Sequence, residues 1–142
     1  MQTFLPYENF KKSAQVLDRQ RLGKQRVETL QVMHAITDPS YGWQNHPAVK
    51  MWRGHEMYLF MYQEDICNEW TSRGYKDTCL QKTYDLVTSQ LHIGTARPSW
   101  LGLEDIHRSH RSNLTRKLPE HYNQYWDIAD DLPYVWPTEE LV

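Results

Sequence analysis

Asp18-Arg-Gln-Arg-Leu-Gly-Lys-Gln-Arg-Val-Glu28 sets four bases, Arg19, Arg21, Lys24 and Arg26, against two acids in a single run. The run sits inside residues 13–36, where Leu17, Val27, Leu30, Met33 or His34, and Ile36 recur at spacings of three and four, the period of a helix. Ser13 is a plausible N-cap, Gly23 predicts a kink or break, and Asp38-Pro39 ends the segment because the residue before proline leaves the helical region. On such a helix Arg21, Gln25 and Glu28 are neighbours, while Arg19, Arg26 and, less closely, Lys12 share another side. A row of guanidinium groups around one carboxylate fits a phosphate-binding surface that holds an acid. A solvated helix face with i,i+4 ion pairs is the plainer alternative.

Outward from this run the chain continues to read as helix. Residues 39–46 form a Pro-, Gly- and Asn-rich loop. Pro47 suits a first helical position, and Met51/Trp52, His55, Tyr58/Leu59, Tyr62, Ile66 and Trp70 draw an apolar stripe to a stop at Gly74. Residues 77–92 carry a weaker helical pattern, and 94–102 read as loop. Leu103, Ile106, His107, His110 and Leu114 return to helical period before Pro119 closes the segment. From Asp127 onward the chain reads as extended, and its aromatics need cover from the body. No repeat or alternating strand pattern is visible. The sequence therefore predicts an all-α, compact, single-domain helical bundle over residues 1–142, with an extended acidic C-terminal tail at about 127–142.

Composition excludes several classes. Aromatics make up 13% of the 142 residues, so disorder for want of apolar material is ruled out. No stretch approaches the ~18–20 apolar residues of a membrane span, and no export signal is visible. Cys67 and Cys79 make no disulfide framework or zinc knuckle and read as core filler in a reduced, cytoplasmic protein. The formal net charge of −2 conceals an asymmetry. The segment 120–142 holds six acids and no Lys or Arg; taking them from the 18 leaves 16 basic and 12 acidic residues, a body of +4. Besides the run at 18–28, that body carries a second basic cluster in Arg108, Arg111, Arg116 and Lys117. A local basic face fits better than polyanion binding by the whole surface.

Two further constellations stand out. In His107-Arg108-Ser109-His110-Arg111 the histidines and Arg111 share a helical face, which suits phosphate contact or a proton shuttle. A metal reading would use His107 and His110 with His46, His55 or Glu56, but nothing supplies a third ligand at a set spacing. Histidines satisfied by core hydrogen bonds are the plain alternative. In His121-Tyr-Asn-Gln-Tyr-Trp126, then Tyr134 and Trp136, aromatics alternate with polar residues near basic helices. They could stack on unstacked bases or simply pack in the core.

The order of several stretches carries a likeness: the opening Thr-Phe-Leu-Pro-Tyr, the run Gln20-Arg-Leu-Gly-Lys-Gln-Arg-Val-Glu28, Trp43-Gln-Asn-His-Pro47, and Ile66-Cys-Asn-Glu-Trp-Thr-Ser-Arg-Gly-Tyr75. His107-Arg-Ser-His-Arg111, Pro119, Tyr122-Asn-Gln-Tyr-Trp126 and Leu132-Pro-Tyr-Val-Trp136 follow. Together they resemble the pyrimidine-dimer DNA glycosylases of the phage endonuclease V type, and a bacterial branch of that family more closely. The resemblance implies a helical domain that kinks DNA, flips a base and cleaves its glycosidic bond. It implies an N-terminal α-amine as nucleophile at the sugar C1′, a Schiff base, and a glutamate that serves glycosyl cleavage and the β-elimination that nicks the strand. α-Amines titrate at about 7.7–8.0, so a substantial neutral fraction exists near pH 7. The glutamate maps onto Glu28, the phosphate-binding arginines onto Arg21 and Arg26, and the lesion-facing aromatics onto Tyr122, Tyr125 and Trp126.

One departure matters. The family's nucleophile is a threonine exposed by removal of the initiator Met, whereas here the bulky Gln2 follows Met1, so the amine of Met1 would have to serve. The expectation is a DNA glycosylase, with or without abasic-site lyase activity, acting as a monomer on double-stranded DNA that carries a lesion or modified pyrimidine. It needs no cofactor, metal or membrane. Glu28 is the acid/base group, Arg19, Arg21, Lys24 and Arg26 hold phosphates, and Arg108 and Arg111 form a second clamp. Two rivals remain: a non-catalytic nucleic-acid-binding module, and a metal-dependent hydrolase or nuclease built on His107 and His110.

Overall fold

Asn9 opens the first helix by accepting a hydrogen bond from the Lys12 amide, and Asp18 opens the second by accepting one from Arg21. The computed structural model describes residues 1–137 and contains seven α-helices and no strand among them. They are α1 (Phe10–Val16), α2 (Arg19–Thr37), α3 (Pro47–Trp52), α4 (Glu56–Ser72), α5 (Cys79–Thr88), α6 (Glu104–Lys117) and α7 (Pro119–Tyr122). The expected helical bundle is what is found. No helix of the described residues is long and apolar enough to cross a membrane.

Two expected helices are each divided. The segment predicted over 13–36 breaks at Leu17-Asp18, where Asp18 caps a new start, and not at Gly23. Ser13 does not cap; it lies buried inside α1, its hydroxyl accepting from the Tyr7 amide and donating to the Tyr7 carbonyl. Gly23 lies within α2, and its missing side chain makes room for the indole of Trp70: a Cβ there would stand 2.9 Å from the ring. The segment predicted from Pro47 to Gly74 also splits, at Gly54, whose φ of +87° favours glycine.

Helices α2, α4 and α5 pack on one another, with α1 against α4 and α3 against α2. Leu17, Leu22, Trp52, Tyr62, Ile66, Ile106, Leu114 and Tyr122 are fully buried at their centre. Each large apolar side chain so buried contributes roughly 1.5–3 kcal/mol. Cys67 and Cys79 are buried free thiols within this packing.

Threaded through the bundle is residues 2–6, extended and without a strand partner. Its backbone groups must still be satisfied, and side chains from three helices do so. From α2, Glu28 accepts from the Gln2 amide, while Gln25 accepts from the Phe4 amide and donates to the Gln2 carbonyl. From α4, the Tyr62 hydroxyl donates to the Phe4 carbonyl. From α6, His110 accepts from the Leu5 amide, and His107 and Arg111 donate to the Leu5 and Pro6 carbonyls. The extended residues 127–137 run along α6 in a similar way, held by Ser109, Ser112, Asn113 and Arg116. The acidic tail's Glu139 and Glu140 lie outside the described residues.

Candidate active site

The amino-terminal segment meets the middle of α2 at a cavity of about 320 Å³. Met1, Gln2, Phe4 and Tyr134 form one wall; Gln20, Arg21, Lys24, Gln25 and Glu28 line the helix side, and Lys117 reaches in from the end of α6. Glu28 is the one carboxylate among these residues. Its Oε2 accepts from the Gln2 amide at 2.9 Å, and its Oε1 lies 3.4 Å from Lys24 Nζ. The Lys24 side chain is 73% exposed and that of Glu28 only 15%, so the lysine stands at the mouth and the acid within. Bond lengths alone then keep the Met1 amine within about 6–7 Å of that carboxylate.

Two other groups report on the same spot. His46, which caps α3 through Nδ1, accepts from the Ala48 amide at 3.0 Å; Nε2 therefore carries the proton in the neutral ring. Its pKa is held down by burial first and by repulsion from the amino terminus second, with Glu28 pulling the other way. Tyr134 keeps its phenolic proton more firmly than usual, again chiefly through burial, with Glu28 adding to the shift and the arginines Arg116 and Arg21 opposing it.

A relay delivers the first guanidinium to the cavity. The hydroxyl of the fully buried Tyr122 donates to Asp18 Oδ1 at 2.5 Å and accepts from the Asp18 amide. Asp18 Oδ2 in turn holds Arg21 Nη1 at 3.1 Å. Tyr122 thus supports Arg21 from behind. Its own proton is bound far more tightly than in water, through burial and the Asp18 hydrogen bond.

The structure gathers Met1, Arg21, Lys24 and Glu28 around the cavity and sends the other expected residues elsewhere. Arg19 and Arg108 are exposed on the surface. Arg26 turns to α5, where Nη1 meets Asp77 at 2.6 Å and the guanidinium lies over the Trp70 ring. Arg111 is taken by the Pro6 carbonyl and Glu104. His107 donates from Nδ1 to the Leu5 carbonyl and accepts at Nε2 from the Gly102 amide, and burial lowers its pKa. His110 is fully buried, with its pKa down at about 3 through burial first and His107 second. Its Nε2 has no hydrogen-bond partner among the described residues, and its ring stands at 90° to that of Tyr134, 5.9 Å between centroids. Neither histidine lines the cavity. No three His, Cys, Asp or Glu among the described residues come together to hold a metal ion. Trp126 is stacked on Tyr122 and donates to Thr115, and the more exposed Tyr125 stands beside it, away from the cavity lining.

Several lining residues were invisible as site members in the sequence. Gln2 is one: its Oε1 accepts from the Thr3 amide, while Nε2 is buried without a partner among the described residues. Lys117 and Tyr134 are others, brought in only because α6 and the tail fold back over residue 4. Their signal in the sequence was composition, a basic cluster and an aromatic stretch, with nothing to connect either to Glu28.

The family model described as pyrimidine dimer DNA glycosylase matches residues 1–83, which include the amino terminus, all of α2 and the loop to α3. No curated protein and no solved structure matches the chain. The match spans more than half of the chain, which belongs to that family.

Proposed function

We propose that this member of the pyrimidine dimer DNA glycosylase family excises a damaged or modified pyrimidine from duplex DNA in the cavity between its amino terminus and α2. The target nucleotide leaves the helix, as enzymes acting on a base in a duplex require, and its sugar C1′ meets the Met1 amine. The amine nitrogen bonds to C1′ while the bond from C1′ to the base nitrogen breaks, and the base departs with that electron pair and takes its proton from water. Glu28 takes the proton that the attacking nitrogen sheds and returns it to O4′ as the sugar ring opens to the imine. Removal of a C2′ proton by the same carboxylate then expels the 3′ phosphate. Arg21, Lys24 and Lys117 face the strand's phosphates, and Tyr134 and Phe4 give the base an apolar wall.

The observation that carries this reading is the 2.9 Å hydrogen bond from the Gln2 amide to Glu28. It ties the chain's first residues to the only acid among the described residues that line the cavity, which it shares with Arg21, Lys24 and Lys117.

The test is incubation with duplexes bearing a cyclobutane dimer, an abasic site or hydroxymethyluracil, with and without borohydride. Free base from hydroxymethyluracil, strand nicking at the dimer and the abasic site, and an adduct that peptide mapping locates at Met1 are expected. An adduct at Lys24 would move the nucleophile to that side chain. Duplex binding with neither base release nor strand nicking nor adduct across the panel would leave the non-catalytic module, and the enzyme reading would fall.

A further inference from the structure

Gln2 is held at every polar atom but one. Its backbone amide donates to Glu28 at 2.9 Å, and its carbonyl accepts from the Gln25 side chain at 2.8 Å. On its own side chain, Oε1 accepts from the Thr3 amide at 2.8 Å, which fixes which end of the carboxamide is nitrogen. Nε2 carries two protons and has no hydrogen-bond partner among the described residues, although the residue is only 5% exposed. Buried amide nitrogens are nearly always paired, so one left over in a side chain this firmly held needs a reason. Arg26 Nε, Gln63 Oε1 and His110 Nε2 are also unpartnered, but their residues do not line the cavity, and Gln2 does. The last side-chain torsion of a glutamine is soft, so a small rotation presents Nε2 to a group entering there.

The place of Gln2 in the cavity narrows the acceptor. Arg21, Lys24 and Lys117 bring the positive charge that phosphates require, and Phe4 and Tyr134 bring the apolar wall. Gln2 is neutral and follows directly on Met1, whose amine we assign to C1′. In a pyrimidine nucleotide the carbonyl oxygen O2 stands beside the glycosidic nitrogen N1 and is the base acceptor nearest to C1′. When the bond to C1′ breaks, the base keeps the electron pair, and its negative charge spreads from N1 onto O2 until water protonates it. A donor held at O2 is therefore bound more strongly as the bond breaks than before, which is the condition for speeding the step.

We propose that Gln2 is a catalytic residue whose Nε2 donates to O2 of the target pyrimidine and stabilises the departing base. This rests on the glycosylase reading above. The first test uses Gln2→Met, which removes the donor, keeps the length of the side chain and is bulky enough to keep Met1 in place. Rates are compared on duplexes bearing hydroxymethyluracil, 5-fluorouracil, whose fluorine already draws charge from the ring, and an abasic site. Gln2→Met should lose about 10²-fold in release of hydroxymethyluracil and about tenfold in release of 5-fluorouracil. Nicking at the abasic site, which has no base to release, should fall far less. Gln2→Glu keeps an oxygen for the Thr3 amide while removing the donor, and it should show the same ranking of losses. Equal losses on all three substrates in both variants would make Gln2 a holder of Met1 and overturn the proposal.

The second test needs no turnover. The full chain, labelled with nitrogen-15, is titrated with a duplex whose hydroxymethyldeoxyuridine carries a 2′-fluorine, which blocks cleavage by disfavouring positive charge at C1′. The Gln2 side-chain amide resonances, identified by their loss in Gln2→Met, should move downfield. They should move much less when the base is 2,4-difluorotoluene, which keeps the shape and lacks the carbonyls. That movement without base release from the unfluorinated duplex keeps Gln2 as the ligand of the base, and only the glycosylase reading fails. Base release by wild type with the Gln2 resonances unmoved overturns this proposal and leaves the glycosylase reading standing. Neither release nor movement overturns both.

Discussion

The basic faces of α2 and α6 look alike as sequence and meet opposite fates. Each offers arginines interleaved with a titratable partner: Arg21, Lys24 and Glu28 on α2, His107, His110 and Arg111 on α6. The α2 set opens on a cavity. The α6 set is spent on the backbone of Leu5 and Pro6. The difference comes from what each face is packed against. An extended segment without a strand partner brings buried amides and carbonyls that must be paired, and the α6 face lies directly over it. On α2 only Gln25 and Glu28 are drawn to that segment, so Arg21 and Lys24 stay available. Helix α6 anchors residues 5 and 6, whereas α2 holds residues 2 and 4 and also supplies the groups we assign to chemistry. Charge patterning alone does not separate the two roles.

The sharpest test of this division is Glu28→Gln. The amide can still accept from the Gln2 N–H, so the melting temperature should hold while turnover falls about 10²–10⁴-fold, the usual contribution of a positioned acid/base group. A variant that unfolds, or one that retains turnover, would erase the contrast.

Acid should act through the other helix. An unfolded chain protonates His110 near 6.5, the native chain only at about 3. The unfolded state therefore binds the extra proton between those values, and stability falls as pH drops below about 6.5. By pH 4 the loss is on the order of 3 kcal/mol. His107, whose pKa is also lowered by burial, adds in the same direction. Urea midpoints measured from pH 7 to 4 should decline, and His110→Asn, which can still accept from the Leu5 amide, should flatten the slope. A level profile in the wild type would show that these histidines are not held neutral.

Arg111→Ala is the milder probe of α6. It leaves the Pro6 carbonyl unpaired, a change that costs roughly 1–3 kcal/mol, and denaturant unfolding should register it. DNA affinity should keep its salt dependence, because Arg111 is not counted among the phosphate contacts of the cavity. Lys117→Ala should do the reverse. Stability should change by less than about 0.5 kcal/mol, while the slope of log Kobs against log[salt] falls by about one. If Arg111→Ala reduces the slope and Lys117→Ala does not, α6 rather than α2 carries the strand.

Much of the helical plan was legible because its signals are local. Asp38-Pro39, Pro47, Gly74 and Pro119 each stop or start an element where the sequence predicted. The misplaced break in the first long segment has a specific origin. Gly23 reads as a helix breaker by propensity, yet it is needed so that Trp70, 47 positions away in the chain, can lie against the helix. The grouping of Arg21, Gln25 and Glu28 was also readable, since it follows from helical period alone. The histidine pair was readable only as a choice between a site and a core, and the fold buries both against Leu5.

Sequence by itself determined the helices, the apolar stripes that bury them and the alignment of one acid with its cationic neighbours, because these depend on contacts within about four residues. Only the tertiary structure decided which polar groups meet backbone and which face open space. That choice turns on an unpaired extended segment reaching α2, α4 and α6 at once, and on Tyr134 returning from the far end of the chain to close the cavity beside Met1. Burial penalises any polar group left unpaired, so packing assigned each side chain its partner, and the pattern of charges along the chain could not.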